Sequence, residues 1–186
     1  MRKAYALLGL AFTVLFIGTW LLTTRLTSPD LTTSPMEKTF YLSSPAFDEG
    51  GIIPVRYTCD GGDINPPLAI TGAPPGTKSL ALIVDDPDAP AGVWDHLILY
   101  NIPPQTNEIL EGALPTDAII GTNSWGRNDY GGPCPPDREH RYVFTLYALD
   151  TELALPPESG KAEVLQAMEG HELARTQLVG RYDRAW

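Results

Sequence analysis

Two of the three histidines in the chain stand in segments whose residue types suit the binding of an anion. His96 ends the segment DDPDAPAGVWDH, at residues 85–96, in which acids, prolines and a tryptophan precede it. His140 ends the segment YGGPCPPDREH, at residues 130–140, which is rich in glycine and proline. An imidazole close to a carboxylate can carry a positive charge or exchange a proton near neutral pH. The two segments together predict a pocket for phosphate or carboxylate groups.

Both segments adjoin predicted strands, and strand geometry decides which of their side chains can cooperate. Successive residues of a strand face opposite sides, so residues i and i+2 share a face. Trp94 and His96 are therefore expected to point the same way, and Ile98 and Tyr100 to continue that face. If the matching faces of three strands line one interior, five side chains converge at its mouth: Asp86, Trp94, His96, His140 and Tyr142.

The prolines and glycines of the two segments fit a rigid pocket. Each proline restricts its own backbone and pushes the preceding residue towards an extended conformation. Gly131 and Gly132 have no side chain, so we expect their backbone N–H groups to be free to approach a ligand. The indole of Trp94 could cover an organic group attached to the anion, including a cationic group.

The rest of the chain has the pattern of a sheet with many turns. From Lys38 onward, apolar runs alternate with clusters of Gly, Pro, Asn and Asp. The segment KAEVLQAMEGHELAR, at residues 161–175, is instead rich in helix-forming residues and predicts one helix. The predicted strands are Thr39–Leu42, Ile53–Tyr57, Ser79–Asp85, Trp94–Asn101, Arg141–Leu149 and Gln177–Tyr182.

The N-terminal residues are predicted to form a separate segment. Arg2 and Lys3 precede an uncharged apolar run from Ala4 to Leu22, which is close to the ~20 residues that a membrane-spanning helix needs. Basic residues ahead of such a run stay in the cytoplasm and direct the rest outwards. We expect a transmembrane anchor or signal segment at 1–25, a polar stalk at 26–37 and a domain at 38–186. This predicts a single-pass protein of the cell membrane with its domain on the periplasmic or extracellular side, or a secreted protein if the leader is cleaved.

The charge of the predicted domain excludes one class of partner. All 23 acidic residues lie after Arg25, whereas three of the 13 basic residues do not. The domain is therefore more acidic than the net charge of −10 for the whole chain. Such a surface repels the phosphate backbone of nucleic acids. We exclude nucleic acid as a partner and expect any anionic ligand to be bound by a local pocket.

A metal site and a catalytic site are the alternatives for the same residues. Two histidines and a carboxylate are a common zinc ligand set, but here the histidines lie in different strands without the spacing of paired ligands. We therefore predict no metal and no other cofactor. Asp86 beside a histidine could act as an acid–base pair, yet Ser124 lacks the Gly-x-Ser-x-Gly context of a nucleophile. We predict no catalytic residue, and a hydrolase with an Asp–His pair is the less favoured interpretation.

Several motifs in this sequence resemble the phosphatidylethanolamine-binding proteins, and in particular their bacterial and archaeal branch of Raf kinase inhibitor-like proteins. The resemblance extends from about Phe40 to Arg184. The motifs that carry it are CDGGDINPPL (59–68), DPDAP (86–90), WDH (94–96), YGGPCPP (130–136), HRY (140–142) and AMEGHELA (167–174).

The resemblance implies a fold and a set of site residues. The fold is mostly β, with a large central antiparallel sheet packed on a smaller sheet and with peripheral helices. The pocket lies near the protein surface and takes phosphate-type anions, phosphorylethanolamine included. From spacing alone, Cys59 and Cys134 could equally be bonded or be two separate thiols; the family places both of their loops near the pocket, which favours a disulfide. The ligand-binding residues carried over from the motifs are Asp86, Asp88, Trp94, His96, Gly132, Pro136, His140 and Tyr142.

The predicted function is that of an exported, membrane-tethered binding module. Its ligand would be a phosphate-type anion or a phosphorylated lipid headgroup. The alternative is a regulator of another protein, such as an extracytoplasmic protease, as the name of the resembled branch implies. The expected partners are thus the anion, the membrane through the anchor, and a protein target that the sequence does not identify.

Overall fold

A computed structural model describes residues 39–184, and the architecture of this part is mostly β. Three strands form a small antiparallel sheet in the order β1-β3-β6, and six form a large sheet in the order β2-β9-β8-β4-β5-β7. Neighbours in the large sheet are antiparallel, except for the short parallel pair β2 and β9. The predicted combination of a large and a small sheet is confirmed. The strands are β1 (Tyr41–Ser43), β2 (Gly51–Ile52), β3 (Leu68–Thr71), β4 (Ser79–Asp86), β5 (Trp94–Ile102), β6 (Glu108–Ile109), β7 (Ile119–Ile120), β8 (His140–Leu149) and β9 (Glu172–Tyr182).

The small sheet packs on one face of the large sheet across the main hydrophobic core. Because β4 lies in the middle of the large sheet and is covered on both faces, it reads as a continuous apolar run, SLALIV, at residues 79–84. Burial of each large apolar side chain in such a core contributes about 1.5–3 kcal/mol. The core includes Leu42, Leu68, Ile70 and Ile109 of the small sheet and Leu82, Val84, Leu97, Phe144 and Leu146 of the large sheet.

The opposite face of the large sheet is covered by a helix, α1 (Lys161–Met168). Val164 and Met168 of the helix are buried against a second apolar cluster. Lys161 Nζ also reaches the sheet, where it donates to Asp85 Oδ2 at 2.5 Å and to Asp95 Oδ1 at 3.0 Å. Burial disfavours the charge on this amine, but the two carboxylates outweigh burial and raise the pKa of Lys161. The first residue of the helix is thereby fixed to β4 and β5.

The helix predicted within residues 161–175 is confirmed at 161–168, and it ends just before Gly170, the residue expected to end or kink it. The helix ends at Met168, and Gly170 takes a φ of 80°, a left-handed conformation in which glycine commonly terminates helices. The helix-forming residues after it instead belong to β9, which pairs with β8 from Glu172 to Tyr182. Long-range strand pairing thus overrides local helix propensity, which is a weak preference.

The predicted strand Ile53–Tyr57 is also wrong. β2 ends at Ile52, and Val55–Tyr57 form a 3-10 turn. Ile53 still donates its N–H to the Arg181 carbonyl at 2.8 Å. Pro54 has no N–H with which to continue the ladder, so pairing ends there.

The prediction of a membrane anchor is corrected by the structure. Within residues 39–184, no helix is long and apolar enough to cross a membrane. The helix α1 is about 12 Å long at 1.5 Å per residue, whereas the apolar core of a bilayer is about 30 Å thick. The predicted anchor at 1–25 and the predicted stalk at 26–37 lie outside the described residues. We therefore do not retain the transmembrane helix, the membrane as a partner, or the location at the cell membrane or outside the cell.

Candidate functional site

The two predicted segments meet where β4, β5 and β8 lie side by side. Asp86, the last residue of β4, is directly paired with Trp94, the first residue of β5. A cavity of about 340 Å³ opens beside this pair. Its lining includes four of the predicted ligand-binding residues, Asp86, Trp94, His96 and Pro136, together with Ala89, Pro90, Ala91, Trp125 and Cys134.

Asp86 and His140 form a buried pair behind this cavity. Asp86 Oδ2 lies 2.7 Å from His140 Nδ1, and Asp86 Oδ1 accepts the backbone N–H of Asp88 at 2.8 Å. On the other side of the ring, His140 Nε2 lies 3.0 Å from Asp137 Oδ1. Because carboxylates only accept hydrogen bonds, both contacts are satisfied when both ring nitrogens carry a proton. Asp86 and Asp137 therefore hold the ring of His140 from both sides.

His96 offers a free ring nitrogen at the same cavity. Its Nδ1 lies 2.6 Å from the Gly131 carbonyl, which can only accept, so Nδ1 carries the proton of that hydrogen bond. The other nitrogen, Nε2, has no hydrogen-bond partner among the described residues. Burial lowers the pKa of His96, against the raising effects of the Gly131 carbonyl and Asp86. The ring therefore favours the neutral form, with a lone pair on Nε2.

His96 is aimed at the cavity by an irregularity in the sheet. Val84 pairs with Leu97, but Asp85 pairs with Asp95, so His96 is an extra residue on β5. Such a bulge changes the face to which following side chains point. The expectation that Ile98 and Tyr100 continue the face of Trp94 and His96 is therefore wrong; both lie in the cluster under α1.

Tyr142 lies against the floor of the cavity with an unpaired hydroxyl group. The residue is 1% exposed, and its oxygen has no partner in hydrogen-bond geometry. Burial raises the pKa of Tyr142, and the nearby backbone of Cys134 opposes that rise without meeting hydrogen-bond geometry. Its ring packs edge-on against His96, with 5.2 Å between centroids. The hydroxyl is therefore a buried polar group without a partner, behind His96 rather than in the lining of the cavity.

Trp125 is a wall of the cavity that sequence reasoning missed. Its ring lies edge-on to Trp94, at 5.4 Å, and to His96, at 5.0 Å. It comes from a loop, where no strand or helix periodicity could reveal it. Gly131 makes room for it, because a Cβ on Gly131 would lie 2.4 Å from the indole ring. The local signal available in the sequence was an aromatic residue in a glycine- and asparagine-rich loop.

Cys59 and Cys134 form a disulfide, which confirms the pairing that the resemblance favoured. The bond joins the loop after the 3-10 turn to the loop that ends at β8. The Cys59 N–H also donates to the Pro133 carbonyl at 3.1 Å. Because Cys134 lines the cavity, the disulfide holds one cavity wall in place.

Two of the predicted residues have other partners than the cavity. Asp88 is turned towards Arg141 and accepts hydrogen bonds from its Nε, at 2.8 Å, and from its Nη2, at 2.7 Å.

The expectation of free N–H groups in the glycine pair Gly131 and Gly132 is wrong. Gly131 donates to the His96 carbonyl at 3.1 Å, and Gly132 donates to Asp63 Oδ1 at 2.6 Å. These hydrogen bonds fix the loop, so the pair supports the site rather than offering backbone donors.

The Asp88–Arg141 ion pair predicts a pH-dependent stability. Hydrogen bonds from Arg141 hold the pKa of Asp88 well below its ordinary value. A lowered pKa stabilises the fold above the pKa of the unfolded carboxyl, about 3.9, and this stabilisation is lost as pH falls towards the folded value. Asp88→Asn should therefore lower the free energy of unfolding by about 1 kcal/mol at pH 7, with the difference shrinking below about pH 4. Urea unfolding between pH 7 and pH 2 measures this, with Asp117→Asn, at an exposed position, as the control. A difference that stays constant down to pH 2 would contradict the ion-pair account.

A larger cleft elsewhere carries less chemistry. It measures about 520 Å³, and none of its lining residues is ionisable: Thr39, Phe40, Gly72, Ala73, Pro74, Pro75 and Ala174. The cavity of about 340 Å³ contains a carboxylate and an imidazole, so we take it as the functional site. No group of three or more His, Cys, Asp or Glu residues within the described part of the chain is placed to hold a metal ion.

Comparison with known proteins agrees with this architecture. A family model described as phosphatidylethanolamine-binding protein matches residues 43–183. A UPF0098 protein of Methanothermobacter thermautotrophicus is 51% identical over 148 residues, which cover 77% of this chain and 98% of that protein. A UPF0098 protein of Chlamydia muridarum is 47% identical over 150 residues, with 77% and 98% covered.

Two solved structures have the same fold. A phosphatidylethanolamine-binding protein homologue from Chlamydia trachomatis has a TM-score of 0.76 at 42% identity, covering 78% of this chain and 98% of its own. YbcL of Escherichia coli, described as a new member of the mammalian PEBP family, has a TM-score of 0.73 at 31% identity, covering 78% and 99%.

Proposed function

This chain belongs to the phosphatidylethanolamine-binding protein family, and from that premise we propose that its 340 Å³ cavity binds a phosphate-type anion in the form of a small phosphate ester. The observation that carries the proposal is the unpartnered Nε2 of His96 at this cavity. When neutral, the ring can accept a hydrogen bond at Nε2 from a protonated phosphate oxygen. When protonated, it can donate a hydrogen bond from Nε2 to an ionised phosphate oxygen. Either way the ring makes a hydrogen bond with a charged group, the stronger kind.

Further donors surround the same space. The backbone N–H groups of Ala89 and Ala91 have no acceptor among the described residues, and both residues line the cavity. The carboxylate of Asp86 would repel an anion, and its contact with His140 Nδ1 at 2.7 Å offsets that repulsion when both ring nitrogens of His140 carry a proton. His96 and these two backbone N–H groups can therefore donate hydrogen bonds to an incoming phosphate.

The remaining walls suit the organic part of an ester. Trp94 and Trp125 are large and amphipathic, and Pro90 and Pro136 are rigid and apolar. The volume of about 340 Å³ lies at the lower end of the range for small-molecule pockets, about 300–1,000 Å³. Aromatic rings also attract a cationic group such as an ammonium. A phosphorylated amino alcohol combines these properties, with phosphorylethanolamine as the simplest probe.

Binding is a better proposal than catalysis. Cys134 lines the cavity but is bonded to Cys59, so it cannot supply a thiolate nucleophile. Ser124 Oγ accepts the backbone N–H of Asp95 at 2.8 Å and does not line the cavity. Regulation of another protein stays a prediction, without a particular contact in its favour.

The proposal is tested by titrating the full chain with phosphate and with phosphorylethanolamine in a calorimeter. We expect both to bind, and we expect His96→Ala to weaken each by about tenfold or more, because a hydrogen bond to a charged group is lost. His171→Ala is the matched control, since His171 is exposed and contacts Asp150 instead of the cavity. If the folded wild type binds neither phosphate nor phosphorylethanolamine, the proposal is refuted.

A second expectation concerns protons. Burial lowers the pKa of His96 in the free protein, and a bound anion would raise it again. Binding should therefore take up protons, and affinity should rise as pH falls. Calorimetry at about pH 8, where a phosphate ester with a second pKa near 6 is fully ionised, separates this uptake from protonation of the ligand. Heats that depend on the ionisation enthalpy of the buffer support the role of His96; heats that do not would count against it.

A further inference from the structure

A second, smaller cavity adjoins the first. It measures about 190 Å³, whereas the cavity beside His96, called the larger cavity below, measures about 340 Å³. Trp125 and Cys134 line both cavities. Trp125 is 40% exposed, so it stands between the two cavities with one edge open. A ligand that occupies the larger cavity therefore has a second space within reach, on the other side of this indole.

Arg127 gives this second space a positive charge. Of the residues that line the two cavities in the described part of the chain, it is the one arginine or lysine. Its Nε contacts Asp129 Oδ1 at 3.2 Å, and its guanidinium carbon lies 5.5 Å from the centre of the Trp125 ring. The two terminal nitrogens have no acceptor among the described residues. A planar guanidinium in this state can bind a carboxylate with two parallel hydrogen bonds.

Asp63 gives the same space a negative charge. Its Oδ1 accepts the N–H of Gly132 at 2.6 Å, while Oδ2 has no hydrogen-bond partner among the described residues. A Cβ on Gly132 would lie 2.7 Å from Asp63 Oδ1 and 2.6 Å from the Tyr57 carbonyl. This close packing fixes the carboxylate on the loop, with one oxygen available for an ammonium group.

The loop that carries Arg127 is built around a buried amide. Asn123 is 5% exposed, and its Oδ1 accepts the backbone N–H groups of Trp125, at 3.0 Å, and Arg127, at 3.1 Å. Its Nδ2 donates to the carbonyl of Asp129 at 3.0 Å and to its side chain at 3.1 Å. The indole and the guanidinium are therefore held in position before a ligand arrives, which lowers the entropy cost of binding.

We propose that the second cavity is a subsite for the amino-acid end of a phosphorylated hydroxy amino acid, with O-phosphoserine as the simplest member. Its carboxylate would bind Arg127 and its ammonium Asp63 Oδ2, while its phosphate occupies the larger cavity beside His96. The inference rests on the proposed function, because it needs the phosphate in the larger cavity. It extends that function by selecting among phosphate esters, since phosphorylethanolamine lacks the carboxylate that Arg127 would recognise.

A matched ligand series tests the subsite with the full chain. Phosphorylethanolamine is O-phosphoserine without the carboxylate, and the phosphate ester of 3-hydroxypropionate is O-phosphoserine without the ammonium. We expect O-phosphoserine to bind about tenfold more tightly than either, because each loses one charge-assisted hydrogen bond. Glycerophosphoserine distinguishes the two sources of this group: binding as tight as that of O-phosphoserine would assign a lipid headgroup, and weaker binding a free phosphomonoester.

Two variants assign the groups. Arg127→Gln should abolish the advantage of O-phosphoserine over phosphorylethanolamine and leave the affinity for inorganic phosphate unchanged. Asp63→Asn should abolish the advantage over the ester without the ammonium, and its amide oxygen can still accept the Gly132 N–H. Arg175→Gln is the control, since it removes the same charge from an exposed strand residue.

The outcomes separate the two proposals. If neither inorganic phosphate nor phosphorylethanolamine binds the wild type, the proposed function falls. If phosphate binds but O-phosphoserine and phosphorylethanolamine bind equally, the subsite falls and the proposed function stands. If Arg127→Gln weakens inorganic phosphate as much as O-phosphoserine, Arg127 contacts the phosphate itself, and the assignment of the carboxylate is overturned.

Discussion

Replacing both Cys59 and Cys134 by serine should lower the free energy of unfolding by about 4 kcal/mol. The two residues are 75 positions apart, and in the chain-entropy account a bond across such a loop destabilises the unfolded state by about this amount. For a protein of this size the melting temperature should fall by roughly 10 °C or more. Chemical denaturation of the oxidised protein and of the double serine variant measures the difference. The reduced wild type provides the control, because it removes the bond without changing the loop residues.

The fold should survive this change, because other contacts join the same loops. The Cys59 N–H donates to the Pro133 carbonyl, and Gly132 donates to Asp63. Ligand affinity should fall less than stability, since Cys134 lines the cavity but contributes no charge to it. A loss of less than about 1 kcal/mol would mean that the unfolded chain already keeps these loops together, because disulfides act largely through the unfolded state.

Strand positions next to the site were the best predicted part of the fold. Ser79–Asp85 and Trp94–Asn101 were expected, and β4 and β5 each extend one residue further. Both strands lie inside the large sheet and contribute side chains to the clusters on both of its faces. Their sequences therefore contain apolar runs of strand length. Asp86 shares a face of β4 with Leu82 and Val84, which lie in the main core beside the site.

Failures arose where distant contacts decide the structure. β9 begins in a helix-forming sequence, but it is a strand because β8 lies beside it over the whole length. Ile98 and Tyr100 leave the face of Trp94 and His96 through a bulge that is defined only by the register between β4 and β5. Neither the partner strand nor the register can be read from local periodicity.

The site was predicted by residue type better than by contact. Of the predicted residues, Asp86 contacts His140 and lines the same cavity as His96. The same motifs include Asp88, whose carboxylate pairs with Arg141 outside the cavity. Trp125 lies in a loop without periodicity and reaches the site because Asn123 and Gly131 hold it there. A motif fixes which residues occur at a site, while side-chain direction depends on partners elsewhere in the chain.

Asp86→Ala should be the most destabilising single substitution at the site, with a cost of about 3–5 kcal/mol. Asp86 is 4% exposed and His140 is fully buried, and removal of Asp86 leaves His140 Nδ1 without a partner in the interior. The variant also loses the hydrogen bond from the Asp88 N–H, which begins the turn after β4. Asp137→Ala is the matched control, because Asp137 contacts the same ring from a side chain that is 46% exposed. Its loss should cost no more than about 1 kcal/mol.

A double-mutant cycle separates the pair from the burial of each residue. His140→Ala should cost nearly as much as Asp86→Ala, while the double variant should cost clearly less than the sum of the two, because neither residue is left in the interior without its partner. Urea unfolding of the four proteins gives the coupling free energy, expected at about 1–3 kcal/mol. Additive costs would show that Asp86 and His140 stabilise the fold independently. In that case His140 would not compensate the charge of Asp86, and the cavity would present an uncompensated carboxylate to an incoming phosphate.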